Sequence, residues 1–264
     1  MGATSTEVPK IVLNNKIDPS NLIEHIDFFR FDACKKLDAE CRSSKGQFFT
    51  PPPIARLMAS MFINRPQNAR ILDAGAGIGS LSAALISEMC NWENKPRSIS
   101  LTAYEIDPLL IEYLNSSIKE MENICNLCDI SFKGEVFSED FISAGLSMAN
   151  QGLFKISKRS FSCAILNPPY HKISNDSKER KILKRFGIET GNLYTAFLWI
   201  AIKLLEPNGE LVAIIPRSFC NGPYFLPFRK AFFKSMKLLR IHIFESRNKA
   251  FHEDDVLQEN IIIH

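Results

Sequence analysis

The sequence has no apolar run long enough to cross a bilayer, and its first ten residues lack the basic-then-apolar layout of a secretory signal. Neither a membrane-spanning nor an exported chain is expected, and the cytoplasm is the expected compartment. A disulfide framework is missing too. The seven cysteines (Cys34, Cys41, Cys90, Cys125, Cys128, Cys163, Cys220) are odd in number and mostly scattered, which suits free thiols in a reducing compartment. Only Cys125 and Cys128 form a CxxC; there is no second pair to complete a zinc ribbon and no thioredoxin-like strand before them. They read as two half-buried thiols near a helix end, and no metal site is expected. Neither sign of charge dominates: 32 Lys and Arg stand against 29 Asp and Glu, for a net +3, which permits contact with polyanions without demanding it. Internal repeats are absent.

What is present is a globular chain of 264 residues with 45% hydrophobic content, enough to build a sizeable core in one large α/β domain or two small ones. Residues 20–42 carry apolar positions at helical spacing (Leu22, Ile26, Phe29, Ala33, Leu37), and a second helical stretch follows Pro51, Pro52 and Pro53. From Arg70 onward short apolar strands alternate with longer helical segments. Strands are expected at 70–74, 100–105, 162–166, 210–215, 238–244 and 258–264, with a third strand ending before Ser138; helices are expected at 79–89, 108–120, 192–205 and 225–235. That alternation predicts an α/β fold with a doubly wound, mainly parallel sheet. One polar stretch gathers Lys172, Lys178, Arg180, Lys181, Lys184 and Arg185, either as a solvated loop or as a phosphate-contacting surface.

The first strand runs into Asp73, Ala74, Gly75, Ala76, Gly77, Ile78, Gly79, where glycines let the backbone pass close to a ligand without a Cβ in the way. The spacing differs from the GxGxxG fingerprint, whose helix-start amides face a pyrophosphate. An acid at the strand end repels phosphate and suits the ammonium of an amino-acid-like cofactor, reached directly or through water. The second strand ends in Glu105, Ile106, Asp107, which places Glu105 to bond both hydroxyls of a ribose. Two acids on adjacent strand ends point to a nucleoside without phosphates. This pair of motifs resembles the class I methyltransferases that use S-adenosylmethionine, a seven-stranded Rossmann-like fold. The resemblance implies that Asp140 and Phe141, after the third strand, hold the adenine amino group and ring face of that cofactor.

The fourth strand ends in Asn167, Pro168, Pro169, Tyr170, the most specific signal in the chain. An exocyclic amine is a poor nucleophile because its lone pair is delocalised into the ring. The Asn167 side-chain oxygen and the Pro168 carbonyl can both accept its hydrogens, drawing the nitrogen toward tetrahedral geometry. The prolines fix the backbone so that these acceptors are preorganised. Tyr170 can stack on a base drawn out of the duplex, at a cost of about a few kcal/mol. No cysteine is adjacent for covalent attack on a pyrimidine.

The order of motifs resembles the adenine-specific DNA methyltransferases of bacterial restriction-modification systems, in which the cofactor site precedes the target site. Gly46, Gln47, Phe48, Phe49, Thr50, Pro51, Pro52 looks like that family's first motif, which implies that Phe49, Thr50 and Pro51 line the methionine part of the cofactor. Residues 191–197 and 209–216 are similar to later motifs that shape the pocket and the fifth strand. Phe251, followed by Val256, Leu257, Gln258, Glu259, Asn260, resembles the loop whose aromatic packs on the other face of the flipped adenine, opposite Tyr170. The resemblance therefore implies a helical N-terminal cap at 1–65, a catalytic domain at 66–264, S-adenosylmethionine as cofactor, and double-stranded DNA with a flipped adenine as partner.

The departure is at the C-terminus, where the family's DNA-recognition domain is missing. The expectation is a partial chain, or a protein whose specificity or nuclease part lies elsewhere. Two other readings stay open. The Asn-Pro-Pro-Tyr motif also serves enzymes that methylate a protein glutamine or an RNA base amine, although these usually lack the Phe-Phe-Thr-Pro segment in this form. An inactive scaffold could keep the fold without binding cofactor.

Overall fold

The computed structural model describes residues 18–37, 49–151, 161–174, 177–185, 190–244 and 259–264. Gly46 to Phe48, Cys41, Phe251 and residues 256–258, all singled out in the sequence, lie outside this set. The elements in chain order are α1 (Leu22–Lys36), α2 (Pro52–Ser60), β1 (Asn68–Ala74), α3 (Ser80–Cys90), β2 (Ser98–Tyr104), α4 (Pro108–Leu127), β3 (Ser131–Phe137), α5 (Phe141–Gln151) and β4 (Phe161–Leu166). They continue with α6 (Lys178–Arg185), α7 (Leu193–Leu204), β5 (Leu205–Pro216), a 3₁₀ turn (Arg217–Cys220), α8 (Leu226–Ser235), β6 (Ile241–Ile243) and β7 (Asn260–Ile263).

Seven strands form one sheet in the order β3-β2-β1-β4-β5-β7-β6. The pairs among β3, β2, β1, β4 and β5 are parallel, and β7 runs antiparallel to both β5 and β6. The chain moves outward from β1 to β3 and then crosses to the other side of β1 to lay down β4. This reversal opens a crevice at the carboxyl ends of β1 and β4, the place where open α/β sheets bind ligands. Asp73 and Asn167 stand at those two ends, and Glu105 stands at the end of the neighbouring β2.

Strand alternation divides the core. Ile71, Leu101, Ile165 and Ile214 join one buried cluster with α1, α2, α3 and α4, whereas Leu72, Tyr104, Leu166 and Ile215 join another with α7 and α8. Every residue of β4 is buried, as befits the middle of a doubly covered sheet. Helix α4 starts on Asp107, whose carboxylate accepts the Leu109 and Leu110 N–H groups at 3.1 and 3.5 Å, with Pro108 in its first turn. Glu210 on β5 ties the approach to β1 onto the far side of the sheet: it accepts the Ile63 and Asn64 N–H groups and faces His264 Nε2 at 3.2 Å. Burial alone would raise its pKa, but His264 and the two amides outweigh that and hold it below the ordinary value.

Several boundaries differ from the sequence expectation. Helix α1 stops at Lys36 rather than running to 42, because Leu37 turns to extended backbone. Strand β5 begins at Leu205, five residues before the expected start, carrying Pro207 and a positive-φ Asn208 within it. Strand β6 is only three residues long. Helices α5 and α6 were not expected. Cys125 is fully buried and Cys128 half-buried just past the end of α4, so one thiol of the pair lies deeper than anticipated. Among the described residues no helix is long and apolar enough to cross a membrane.

Candidate functional site

The turn after β1 is held against β2 by two amides, since Gly75 and Ala76 both donate to the Tyr104 carbonyl at 2.9 Å. Gly75, Gly77 and Gly79 adopt φ of +74°, +57° and +89°, a region that only glycine enters without strain. The turn also has close neighbours on two sides. A Cβ at Gly77 would lie 3.7 Å from the Phe49 ring, and one at Gly75 would meet Phe197, the Asn167 carbonyl and Pro169 at 3.7–3.9 Å. Phe49 from the N-terminal segment and the Asn-Pro-Pro-Tyr turn after β4 therefore flank the same glycine turn.

Asp73 is completely buried, and its Oδ2 accepts the Ser82 hydroxyl of α3 at 2.6 Å. Its Oδ1 has no hydrogen-bond partner among the described residues. Burial pushes its pKa up to about 7, and the neighbouring Glu105 charge adds to the shift. Glu105 is nearly buried, with Oε2 accepting the Gly77 N–H at 2.8 Å and Oε1 accepting Ile106 and Asp107 N–H at 2.8 and 2.9 Å. Desolvation raises its pKa against the opposing pull of these three amides. Three bonds fill only part of a carboxylate's acceptor capacity, so Glu105 is fixed in place with a lone pair to spare. Beside it, Ile106 is 63% exposed and offers an apolar face.

Asp140 and Phe141 each make structural contacts of their own. Asp140 caps α5, accepting the Ser143 N–H and hydroxyl at 2.9 and 2.8 Å and the Ile142 N–H at 3.4 Å. Phe141 is 2% exposed, with its ring 5.1 Å from both Tyr104 and Phe197. It can back a pocket but shows little surface to one. Asp140 is exposed and keeps acceptor capacity beyond its capping bonds.

At the end of β4, Asn167 Nδ2 donates to the buried Thr50 hydroxyl at 3.0 Å. With Nδ2 on that hydroxyl, the carboxamide turns Oδ1 to its other side as an acceptor. The Tyr170 hydroxyl lies 3.1 Å from Asn167 Oδ1 and 3.1 Å from the Ile214 carbonyl. Pro51, N-terminal to α2, holds Thr50 by starting that helix. After Tyr170 the chain is braced against residues 191–193, with Ile173 N–H donating to the Gly191 carbonyl at 2.7 Å and Leu193 N–H to the His171 carbonyl at 2.8 Å. A cavity of about 890 Å³ opens here, bordered by Tyr170, Lys172, Tyr194, Arg217, Tyr224 and Phe225. It adjoins the target end and does not include the acids of the cofactor end.

The fold brings Asn167, Tyr170, Thr50, Asp73 and Glu105, all singled out in the sequence, around one crevice. Ser82, a serine inside a helix, carries no outward signal in the sequence, and only topology places the Ile214 carbonyl beside Tyr170. The tyrosines bordering the cavity lay within segments already noted, except Tyr224.

A methyltransferase subunit of a type I restriction-modification system from Streptococcus thermophilus superposes with a TM-score of 0.60 at 19% identity, covering 83% of this chain and 44% of that one, and so shares the fold. The type II methyltransferase M.PstI of Providencia stuartii is 41% identical over 93% of this chain and 48% of its own length; M.BsuBI of Bacillus subtilis is 44% identical over 84% and 43%. The chain spans about half the length of these relatives. The family model described as Eco57I restriction-modification methylase matches residues 80–251, from the helix behind the glycine turn through the Asn-Pro-Pro-Tyr strand end and beyond, so the chain belongs to that methylase family.

Proposed function

We propose that this chain is the catalytic part of a DNA methyltransferase that moves a methyl group from S-adenosylmethionine to the N6 amine of adenine, within a restriction-modification system. The observation that carries the reading is the Asn167 carboxamide, oriented by Thr50 at the mouth of the glycine turn. The relatives named as type II methyltransferases support the DNA substrate. Adenine specificity rests on the Asn-Pro-Pro-Tyr chemistry.

The residues present fit the cofactor. Asp73 has a buried oxygen without a partner, the kind of vacancy that an ammonium group, directly or through water, would satisfy. Glu105 is held rigid for a ribose diol, Ile106 supplies apolar surface for an adenine ring with Phe141 backing the pocket, and Phe49, Thr50 and Pro51 close the side toward the methionine part. When bound, S-adenosylmethionine supplies an electrophilic methyl on a sulfonium.

The chain's own groups do the rest. Asn167 Oδ1 and the Pro168 carbonyl accept the two hydrogens of the amine and localise its lone pair. The Tyr170 hydroxyl has one hydrogen and two acceptors in reach, so turning it to the Ile214 carbonyl frees Oδ1 for the amine. The Tyr170 ring stacks on the base, with Phe251 as the opposing ring. No general base needs to deprotonate the amine before transfer, since the nitrogen becomes cationic and strongly acidic as it takes the methyl group and then gives its extra proton to water. Proximity and preorganised acceptors carry the catalysis.

The test is transfer of labelled methyl to DNA adenine by wild type and Asn167→Ala, with calorimetric titration of S-adenosylmethionine alongside. The variant should bind the cofactor as wild type does and lose transfer; an active variant would sink the assignment. Glu105→Ala should weaken cofactor binding. A folded wild type that binds no cofactor would support the scaffold reading instead.

A further inference from the structure

The cavity beside Tyr170 is larger than one base needs. Its volume of about 890 Å³ is near the top of the range that holds a whole drug-sized ligand, about 300–1,000 Å³, and a nucleobase is much smaller than that. A row of rings runs along it. Tyr170 meets Tyr194 edge-on at 6.3 Å, Tyr194 meets Phe225 at 5.6 Å, and Phe225 meets Tyr224 edge-on at 4.7 Å. The first three are buried or half-buried, but Tyr224 is 59% exposed.

Tyr224 is exposed, on a loop that is itself held. Its hydroxyl packs over Gly191 so closely that any side chain there would collide with it. Its ring stands at 87° to Phe225, so the two rings meet edge to face and are not stacked on one another. The loop leading to it is pinned by Arg229 of α8, whose guanidinium donates to the carbonyls of Phe219, Asn221 and Gly222 at 3.0, 3.1 and 2.7 Å. Gly222 takes φ +75° to make that bend. Holding this loop in one conformation costs backbone entropy and returns little apolar burial. Across the cavity, Lys172 presents an exposed ammonium.

We infer that Tyr224 is a second stacking platform, taking the nucleobase next to the target on the same DNA strand, with the intervening phosphate toward Lys172. This inference rests on the methyltransferase reading above and extends it from one base to two. A π face that accepts any base, backed by a cation for the phosphate, is the chemistry of single-strand nucleotide binding. Tyr224 would help keep the strand open around the target without reading its sequence.

Photocrosslinking to the full chain, saturated with cofactor, tests it. Oligodeoxynucleotides carry 5-iododeoxyuridine in place of an adenine, or at each flanking position in turn, and adducts are mapped by peptide mass spectrometry. A flanking label should attach to Tyr224 and a target label to Tyr170. Tyr224→Ala should weaken oligonucleotide binding on the order of tenfold, while Tyr224→Phe, which keeps the ring, stays near wild type and cofactor affinity is unchanged in both. A Tyr170 adduct with none at Tyr224, or equal affinities for wild type and Tyr224→Ala, overturns the second platform and leaves the methyltransferase reading standing. No adduct at either tyrosine removes both.

Discussion

Replacing Asp73 by Asn isolates the cost of keeping a carboxylate in the core beneath the glycine turn. Asp73 is wholly buried, and its pKa rises from 3.8 to about 7 on folding. A carboxyl raised in this way is protonated in both states below about pH 4, where the fold is least burdened. As pH climbs from there toward 7, the unfolded chain ionises freely while the folded one resists, so stability falls; above about pH 7 both forms are charged and the loss levels off. Linkage with these two pKa values gives a loss of about 2 kcal/mol by pH 5 and about 4 kcal/mol by pH 8. Asparagine keeps the size and the acceptor for Ser82 but cannot ionise. Glu105, also raised, is common to both proteins and largely cancels from the comparison. Urea unfolding of wild type and Asp73→Asn at pH 5 and pH 8 should therefore show the variant gaining roughly 2–3 kcal/mol relative to wild type between the two pH values. Parallel shifts in the two proteins would refute the burial argument. An ammonium ligand at Asp73 should shrink the same difference in wild type, because it stabilises the charged carboxylate.

Thr50→Val removes the acceptor for Asn167 Nδ2 and frees the carboxamide to rotate. Turnover should fall about tenfold, in line with the loss of about 1–1.5 kcal/mol for one hydrogen bond, and steady-state kinetics with kcat and KM separated would check it. Arg229→Ala releases three carbonyls of the loop before α8. Because part of that contact is exposed, the melting temperature should drop only by a few degrees, at about 1 kcal/mol, while limited proteolysis finds new cleavage within residues 217–225.

Much of the site was legible because its residues sit at strand ends, where a short apolar run stops on a polar residue that burial does not explain. Asp73, Glu105 and Asn167 each follow such a run, and the sheet order makes them neighbours. Strand β3 gave only its end point, because it is an edge strand whose residues are at most half-buried and lack strong alternation. Helix α6 is rich in charge and anchored by Leu183, so its sequence reads as a solvated stretch. The capping role of Asp140 and the core role of Phe141 were hidden for another reason: an Asp-Phe pair has the same composition whether it starts a helix or faces a ligand. The Thr50–Asn167 bond joins residues 117 positions apart, a pairing no local pattern encodes.

The sheet works as a partition as well as a core. Residues that alternate along β1 and β4 send Ile71 and Ile165 to one side and Leu72 and Leu166 to the other. Phe49 and the helix bearing Ser82 pack on the first side, and the row from Tyr194 to Phe225 packs on the second. Selection can therefore act on the two sides with partial independence. Substitutions on the α7 and α8 side can reshape the cavity beside Tyr170 while the packing behind Asp73 on the opposite side stays as it is. Asn167 bonds Thr50 of the first side and is reached through Oδ1 by Tyr170, which packs on the second, so it is the position where drift on one side is felt on the other.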